Sequence, residues 1–331
     1  MKRFVCGVLV VLMVLCIFAC TKDKAEDNTE NLDTTTTEVP TPETTEAAVD
    51  IADSRKEFYR DHQELTALTG EFNPDEMFRV DLPEVGLENV YIKQVESVKL
   101  AEDTYGKVYL LADDRYGGGM GTSDHYLLVN ISQKDTVNDK MFIMDLSHEF
   151  YSPASMGASL YFADLDGDED NEIIVHECKG MSGGAGSWLA RVYDFKDGFE
   201  EIFNSYDPNN KYFETGFSST LLKGNKMRVE NSFTGYSIEF EVKRESEEYF
   251  TEWWYDEDGT PKDHEFMVDS FNEFEPQDVD DDGVSEIVCR QYTSLYSHND
   301  YVGSAISVLK VNSETKEFYV ADAYFEPAES N

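Results

Sequence analysis

Two acidic stretches decide the fold of this chain: DLDGDEDNEIIV at residues 164–175 and, 114 residues later, DVDDDGVSEIV at residues 278–288. In each stretch carboxylates stand at the first, third, fifth and ninth positions, and an apolar run typical of a β-strand follows at once. Carboxylates crowded into a tight turn repel one another unless a cation lies among them. We refer to residues 164–172 as loop one and to residues 278–286 as loop two. Both predict a site for Ca²⁺, which takes six to eight oxygen ligands at about 2.3–2.6 Å.

The loops do not follow the EF-hand pattern, in which position 12 is a bidentate Glu and helices flank the loop. Position 12 here is Val175 or Cys289, and the flanking sequence is strand-like. The loops instead resemble the Asp-x-Asp-x-Asp-Gly-x-x-Asp cation loops of FG-GAP and VCBS-type repeats, the blades of integrin-α-like propellers that also occur in bacterial surface proteins. The resemblance implies two calcium sites. Its implied side-chain ligands are Asp164, Asp166, Asp168 and Glu172 in loop one and Asp278, Asp280, Asp282 and Glu286 in loop two, with backbone carbonyls from Asp170 and Val284.

Two departures from the family pattern affect these sites. Loop two keeps the turn glycine as Gly283, whereas loop one has Glu169 at that position. A non-glycine residue there requires a higher-energy backbone conformation or a different turn. Both loops end in Glu where the family usually has Asp, and the extra methylene changes the reach of the last ligand. Gly283 therefore predicts that loop two is the better of the two sites.

The loops also mark an internal repeat of about 45 residues, at about 160–205 and 274–325. Each copy has an acidic loop, a strand, a glycine-containing hairpin and two further strands. This length suits one four-stranded blade. Short alternating runs rich in aromatic and β-branched residues fill the rest of the chain beyond about residue 78. We therefore predict an all-β fold of propeller-like blades, with a β-sandwich as the alternative.

The N-terminus has the pattern of a processing signal. Lys2 and Arg3 precede an almost entirely apolar stretch, residues 4–18, which is short for a membrane span and suits a signal peptide. Ala19-Cys20 resembles a bacterial lipobox, which implies that residues 1–19 are removed and that Cys20 is lipidated; an ordinary secretory signal is the alternative. The resemblance implies anchoring to the cell membrane or outer membrane, on the extracytoplasmic side.

The segments that follow predict a tether and a helical lead-in. Residues 20–50 are rich in Thr and Glu and contain no aromatic residue, a composition that predicts a disordered tether. Residues 51–77 are predicted as a helical lead-in, because Ile51, Phe58, Leu65 and Leu68 recur at helical spacing. Residues 78–331 then form the all-β domain.

The composition restricts the function. The formal charge of −41 excludes nucleic acid as a natural partner, because neutralising phosphates requires Lys and Arg. The prediction is a cell-envelope surface lipoprotein that acts as a calcium-stabilised, non-catalytic binding or scaffolding module for an extracellular protein or glycan. The alternative is an envelope enzyme that acts on carbohydrate or peptidoglycan through paired carboxylates. A solute-binding lipoprotein is disfavoured because no alternating α/β pattern is present.

No other motif outweighs these predictions. The glycine-rich segments 117–121 and 180–186 lack the Lys-Ser/Thr of a phosphate loop. His176 and Glu177 are expected on opposite faces of one strand, and a Cys178–His dyad rests on composition alone. No catalytic residue is assigned.

Overall fold

The computed structural model describes residues 55–61, 79–113, 124–131, 138–146, 157–180, 187–195, 198–207, 211–242, 254–258, 260–263, 266–295 and 301–328. The fold is all-β, as the sequence predicts. In these ranges there are nineteen strands and one 3₁₀ turn at Pro83–Val85. The strands are β1 Arg55–Asp61, β2 Arg79–Leu82, β3 Leu87–Ala101, β4 Thr104–Asp113, β5 Asp124–Ile131, β6 Asn138–Asp145, β7 Gly157–Ala163, β8 Glu172–Gly180, β9 Ser187–Phe195, β10 Phe199–Asn204, β11 Tyr206–Asp207, β12 Lys211–Tyr212, β13 Phe217–Leu222, β14 Lys226–Asn231, β15 Ser237–Glu241, β16 Met267–Gln277, β17 Glu286–Ser294, β18 Tyr301–Val311 and β19 Phe318–Pro327.

The strands form five antiparallel sheets. A curled six-stranded sheet has the order β1-β6-β5-β4-β3-β2, and two four-stranded sheets have the orders β10-β9-β8-β7 and β16-β17-β18-β19. A three-stranded sheet, β13-β14-β15, and the short pair β11-β12 complete the set. The two four-stranded sheets are simple meanders, and each contains one of the two acidic loops. Each meander also includes the strand before its loop.

The helical lead-in expected within residues 51–77 is wrong where the structure describes it. Arg55–Asp61 is strand β1, which pairs with β6 in a continuous antiparallel register from Arg55↔Met144 to Asp61↔Asn138. Without β1, β6 would present a row of unpaired backbone N–H and C=O groups at the edge of its sheet. The pairing satisfies those groups, and this non-local gain overrides the weak helical spacing. Residues 51–54 and 62–77 lie outside the described residues.

Strand β8 lies at the centre of the fold and is buried on both faces. Ile173 and Val175 pack with Val108 and Leu127 of the six-stranded sheet in one core. Ile174 faces the other way, into a core that joins the two meanders. That second core also includes Val192, Phe203, Phe274, Ile287 and Leu309. Burial on both faces explains the continuous Ile-Ile-Val run after loop one.

Two further cores cover the remaining sheets. The inner face of the curled sheet packs around Leu82, Val90, Leu111 and Leu128. The three-stranded sheet packs against the second meander in one core. Members of this core include Met227, Val229, Trp254, Ala305 and Phe325.

Several sequence predictions fall outside this description. The signal peptide, Cys20 and the tether all lie outside the described residues, so they stay predictions. In the part that is described, no helix is long and apolar enough to cross a membrane. Cys178 and Cys289 are both buried and form no disulfide with each other.

Candidate metal centre

Each acidic loop connects the first two strands of its meander. Loop one joins β7 to β8, and loop two joins β16 to β17. In both loops the ninth-position Glu accepts a hydrogen bond from the backbone N–H of the second residue: Leu165 N donates to Glu172 Oε2 at 2.7 Å, and Val279 N donates to Glu286 Oε2 at 2.8 Å. The terminal Glu therefore closes the turn in both copies. The departure from Asp is accommodated by the same contact each time.

The first-position Asp organises each turn by accepting backbone N–H groups. In loop one, Gly167 N and Glu169 N donate to Asp164 at 2.7 and 2.9 Å. In loop two, Asp282 N and Gly283 N donate to Asp278 at 3.1 and 3.0 Å. These bonds turn the carboxylates inwards, so the two loops are equivalent in fold as well as in sequence.

Two positions in each loop adopt left-handed backbone angles, and only one of each pair is glycine. Loop one has Gly167 at φ 83° and Glu169 at φ 66°, the fourth and sixth positions. Loop two has Asp281 at φ 59° and Gly283 at φ 92° at the same two positions. A non-glycine residue at such an angle carries a conformational cost. Each loop carries this cost once, so Gly283 gives loop two no net advantage in its backbone.

The two loops touch each other. Ser285 N, from the eighth position of loop two, donates to the carbonyl oxygen of Asp164 at 2.8 Å. A Cβ atom on Gly167 would lie 3.4 Å from Cγ2 of Val284, so the Val284 side chain packs against the backbone of Gly167 beside that bond. Eleven carboxylates of the two loops are therefore gathered at one junction between the meanders. Repulsion among them favours the binding of cations.

Loop one brings together three of its predicted ligands. Asp164, Asp166 and Glu172 each offer a carboxylate oxygen, and these oxygens lie within 4.8 Å of one another. Asp168 is exposed and its Oδ1 accepts the N–H of Asp170 at 3.0 Å. Asp170 turns outwards and pairs with Lys99 at 2.7 Å. The group in loop one therefore consists of the first, third and ninth carboxylates.

Buried carboxyl groups accumulate in loop one. Glu172 is 1 % exposed, and Asp194 on β9 is 6 % exposed. Burial, together with the nearby charges of Asp194, Asp168 and Asp164, raises the pKa of Glu172 to about 8. Lys316, from the β18–β19 turn, pairs with Asp166 and lies 3.8 Å from Asp194. In the described residues no Lys or Arg forms an ion pair with Glu172 itself.

Loop two brings together Asp278, Asp280 and Asp282, again with carboxylate oxygens within 4.8 Å. These three side chains are exposed, unlike those of loop one. The predicted ninth-position ligand, Glu286, is buried and pairs with Lys310 of β18 at 2.8 Å. Lys310 also reaches Asp280, at 2.9 Å. Hydrogen bonds to Glu286 and Asp280 raise the pKa of the Lys310 ammonium.

Val284, a predicted carbonyl ligand, takes part in the turn through its backbone. Its N–H donates to Asp282 Oδ1 at 2.8 Å, as Asp170 N does to Asp168 in loop one. This matched contact places the seventh residue beside the fifth carboxylate in both loops. Both loops therefore share the same local turn at that position.

Sequence reasoning missed Asp194 and Lys310, which occupy equivalent positions beside the two loops. Tyr193 pairs with Ile173, and Leu309 pairs with Ile287, the first apolar residue after each loop. Asp194 and Lys310 each follow that residue directly, so one loop faces an acid and the other a base. Aligning the third strands of the two repeats would have exposed this contrast. The contacts of Lys316 and Lys99 have no local signal, since both come from other hairpins.

A second charged cluster closes the core between the curled sheet and the first meander. Glu177 is 0 % exposed and lies 3.3 Å from His125, 3.1 Å from Lys179 and 3.7 Å from Arg191. Burial alone would raise the pKa of Glu177, but the three basic groups outweigh it and lower the pKa to about 2. Lys179 and Arg191 also donate to the carbonyl of Leu146. One carboxylate thus holds together basic groups from both sheets.

The two residues on either side of Glu177, His176 and Cys178, are packed among other side chains. His176 faces the opposite side of β8, as predicted, where its Nε2 lies 2.7 Å from the carbonyl of Phe271 and its ring stacks on Trp188. Burial lowers the pKa of His176. Cys178 is also buried. The sequence assigned no catalytic role to these residues, and their surroundings are those of packed side chains.

Comparison with known proteins gives one match. Residues 215–326 match the family model described as the YybI C-terminal domain. This segment runs from two residues before β13 through most of β19, so it contains loop two and excludes loop one. No curated protein and no solved structure matches the chain.

Proposed function

We propose that this protein is a lipid-anchored protein of the cell envelope whose all-β domain is a calcium-stabilised, non-catalytic binding or scaffolding module. The observation that carries the proposal is the contact between the acidic loops, Ser285 N to Asp164 O at 2.8 Å. That contact gathers two carboxylate groups where the two meanders meet. A cation there reduces repulsion and stabilises the junction, which is a structural role for the metal.

The residues present suit Ca²⁺ chemically. The grouped ligands, three in each loop, are all carboxylates, and Ca²⁺ prefers oxygen ligands in flexible geometry. In loop one Asp164, Asp166 and Glu172 would hold the ion, whose chemistry is limited to charge neutralisation and cross-linking. Extracellular calcium modules bind with dissociation constants of about 10⁻⁴–10⁻³ M. Such sites are filled at millimolar calcium, as expected outside a cell.

An exposed aromatic surface on the second meander supports the binding role. Tyr292 and Tyr301 are 37 % and 44 % exposed, and their ring centroids lie 5.4 Å apart. Tyr324 is 39 % exposed. It lies on the same face as Tyr292, because it is in register with Arg290 across the sheet and Arg290 is two residues from Tyr292 on β17. Arg290 itself pairs with Glu273 and Glu326. Exposed aromatic rings beside fixed polar groups suit binding of a glycan or a protein.

The anchor and the ligand require separate tests. Cells that express the protein are labelled with radioactive palmitate, and the label is expected on the wild type and absent from Cys20→Ala. A glycan array and an envelope pull-down then compare the wild type with a Tyr292→Ala/Tyr324→Ala variant, while turnover of each bound glycan is assayed in parallel. Binding that the variant loses, without turnover, supports the module. Turnover of a bound glycan would contradict the non-catalytic role.

A further inference from the structure

The two acidic loops share one fold but have residues of opposite charge beside them on the third strand of each meander. On that strand, the residue next to the acidic loop is Asp194 for loop one and Lys310 for loop two. Lys310 Nζ lies 2.8 Å from Glu286 Oε1 and 2.9 Å from Asp280 Oδ2. The ammonium group therefore lies between the third and ninth carboxylates of loop two. In the calcium loops that these stretches resemble, both positions are metal ligands.

We infer that Lys310 is an internal cation that takes the place of calcium in loop two, and that calcium binds loop one alone. This inference rests on the proposed calcium-stabilised function and goes beyond it, because it assigns the metal to one of two loops that look equivalent. It also reverses the ranking from sequence, in which Gly283 favours loop two.

Lys310 is well placed to compete with a metal. Its backbone belongs to β18, which pairs with β17 on one side and β19 on the other, so its Cα is fixed beside the loop. Calcium at loop two would have to displace the ammonium from both carboxylates or bind next to it. A unit positive charge about 4 Å from a divalent ion lowers its affinity by roughly tenfold or more, even with the screening of water.

Loop one has the opposite balance. Asp166, Glu172 and Asp194 are 9 %, 1 % and 6 % exposed, so three carboxylates are held together away from water. Lys316 pairs with Asp166 and lies 3.8 Å from Asp194, and Lys99 pairs with Asp170 at the outer side of the loop. Lys316 comes from the turn between β18 and β19, not from a paired strand. In the described residues Glu172 has no ion-pair partner, so no basic side chain competes with a metal for its carboxyl group.

The test is the number of calcium ions bound by the purified protein, measured by isothermal titration calorimetry and confirmed by equilibrium dialysis. We expect one ion for the wild type, lost in Asp164→Asn and kept in Asp278→Asn. Lys310→Met should bind two ions, with the second removed by adding Asp278→Asn. Lys310→Arg keeps the positive charge and should still bind one. Lys316→Met is the matched control for removal of a lysine and should also bind one, with an equal or higher affinity.

The outcomes separate the inference from the proposed function. Two ions on the wild type would overturn the inference and leave the calcium proposal standing. One ion on both the wild type and Lys310→Met would show that the lysine does not exclude the metal, which also overturns only the inference. No ion on either protein would overturn both. A thermal melt of each variant confirms that it is folded, and Lys310→Gln provides a second neutral substitution if Lys310→Met is unstable.

Discussion

Ser285 donates its backbone N–H to the carbonyl oxygen of Asp164 at 2.8 Å, so the eighth residue of loop two closes onto the first residue of loop one. This bond is made by the backbone of two turns that are far apart in sequence. It joins the two four-stranded meanders at their most acidic point. The charge of each loop therefore affects the stability of the other.

Removing this donor is expected to weaken the junction. Ser285→Pro deletes the N–H, leaves the Asp164 carbonyl without this partner, and should lower the free energy of unfolding by about 1 kcal/mol or more. Ser285→Ala keeps the N–H and should change it by less than about 0.5 kcal/mol. Urea unfolding of the three proteins measures the difference. Equal losses for Pro and Ala would show that the side chain, and not the backbone bond, matters.

The left-handed positions allow a stabilising substitution in each loop. Glu169→Gly and Asp281→Gly remove a side chain from φ 66° and φ 59°, and each should raise the free energy of unfolding by up to about 1 kcal/mol. Glu169→Gln and Asp281→Asn are the controls, because they remove the same charge and keep Cβ. If the controls stabilise as much as the glycine variants, the gain comes from reduced repulsion and not from the backbone.

Neutralising Glu177 should be strongly destabilising. Glu177→Gln leaves Lys179 and Arg191 buried without the carboxylate that holds them, and breaking a buried charge cluster typically costs about 3–5 kcal/mol. Glu275→Gln, on an exposed strand position, is the matched control and should have little effect. The measurement is the free energy of unfolding in urea at pH 7. A loss no larger than that of the control would contradict the structural role of the cluster.

The same carboxylate predicts a dependence on acid. The pKa of Glu177 is lowered to about 2 from an ordinary 4.5, so its contribution is complete above about pH 4.5 and is lost as the pH falls towards 2. Over that interval the wild type should lose about 3 kcal/mol more than Glu177→Gln. Burial also lowers the pKa of Lys179, because desolvation outweighs the attraction of Glu177 and Arg191 repels it. The prediction therefore rests on Glu177, which has three basic neighbours. If the free energies of unfolding of the wild type and of Glu177→Gln fell by the same amount between pH 4.5 and 2, the prediction would be contradicted.

The sequence predicted the parts of this fold that depend on local patterns. Alternating runs and the spacing of the acidic loops predicted the all-β class and the repeat, because period-two alternation and turn residues are local properties. The helix expected around Phe58 was wrong because β1 gains its stability from β6, about eighty residues away. That pairing leaves no trace in the spacing of residues 51–70.

For the candidate site, the sequence predicted the acidic ligands but not the basic residues that contact them. The carboxylates of both loops could be read from the sequence, and three in each loop come together. The ion pairs of Lys310 and Lys316 depend on how strands and hairpins pack, so the residue types alone could not assign them. His176 and Glu177 were correctly predicted on opposite faces of β8. Lys179 shares the face of Glu177 by strand alternation, whereas His125 and Arg191 come from other strands that only the folding of the chain brings close.

The most direct test of the central claim is a thermal melt of the protein with Ca²⁺, with Mg²⁺ and with chelator. A single site with a dissociation constant of about 10⁻⁴ M should stabilise the protein by about 1.4 kcal/mol at millimolar calcium, which corresponds to a rise of about 3–6 °C in Tm. We expect that rise with Ca²⁺, a smaller one with Mg²⁺, and its loss in Asp164→Asn. Identical melting curves in Ca²⁺ and in chelator would contradict calcium binding by the acidic loops.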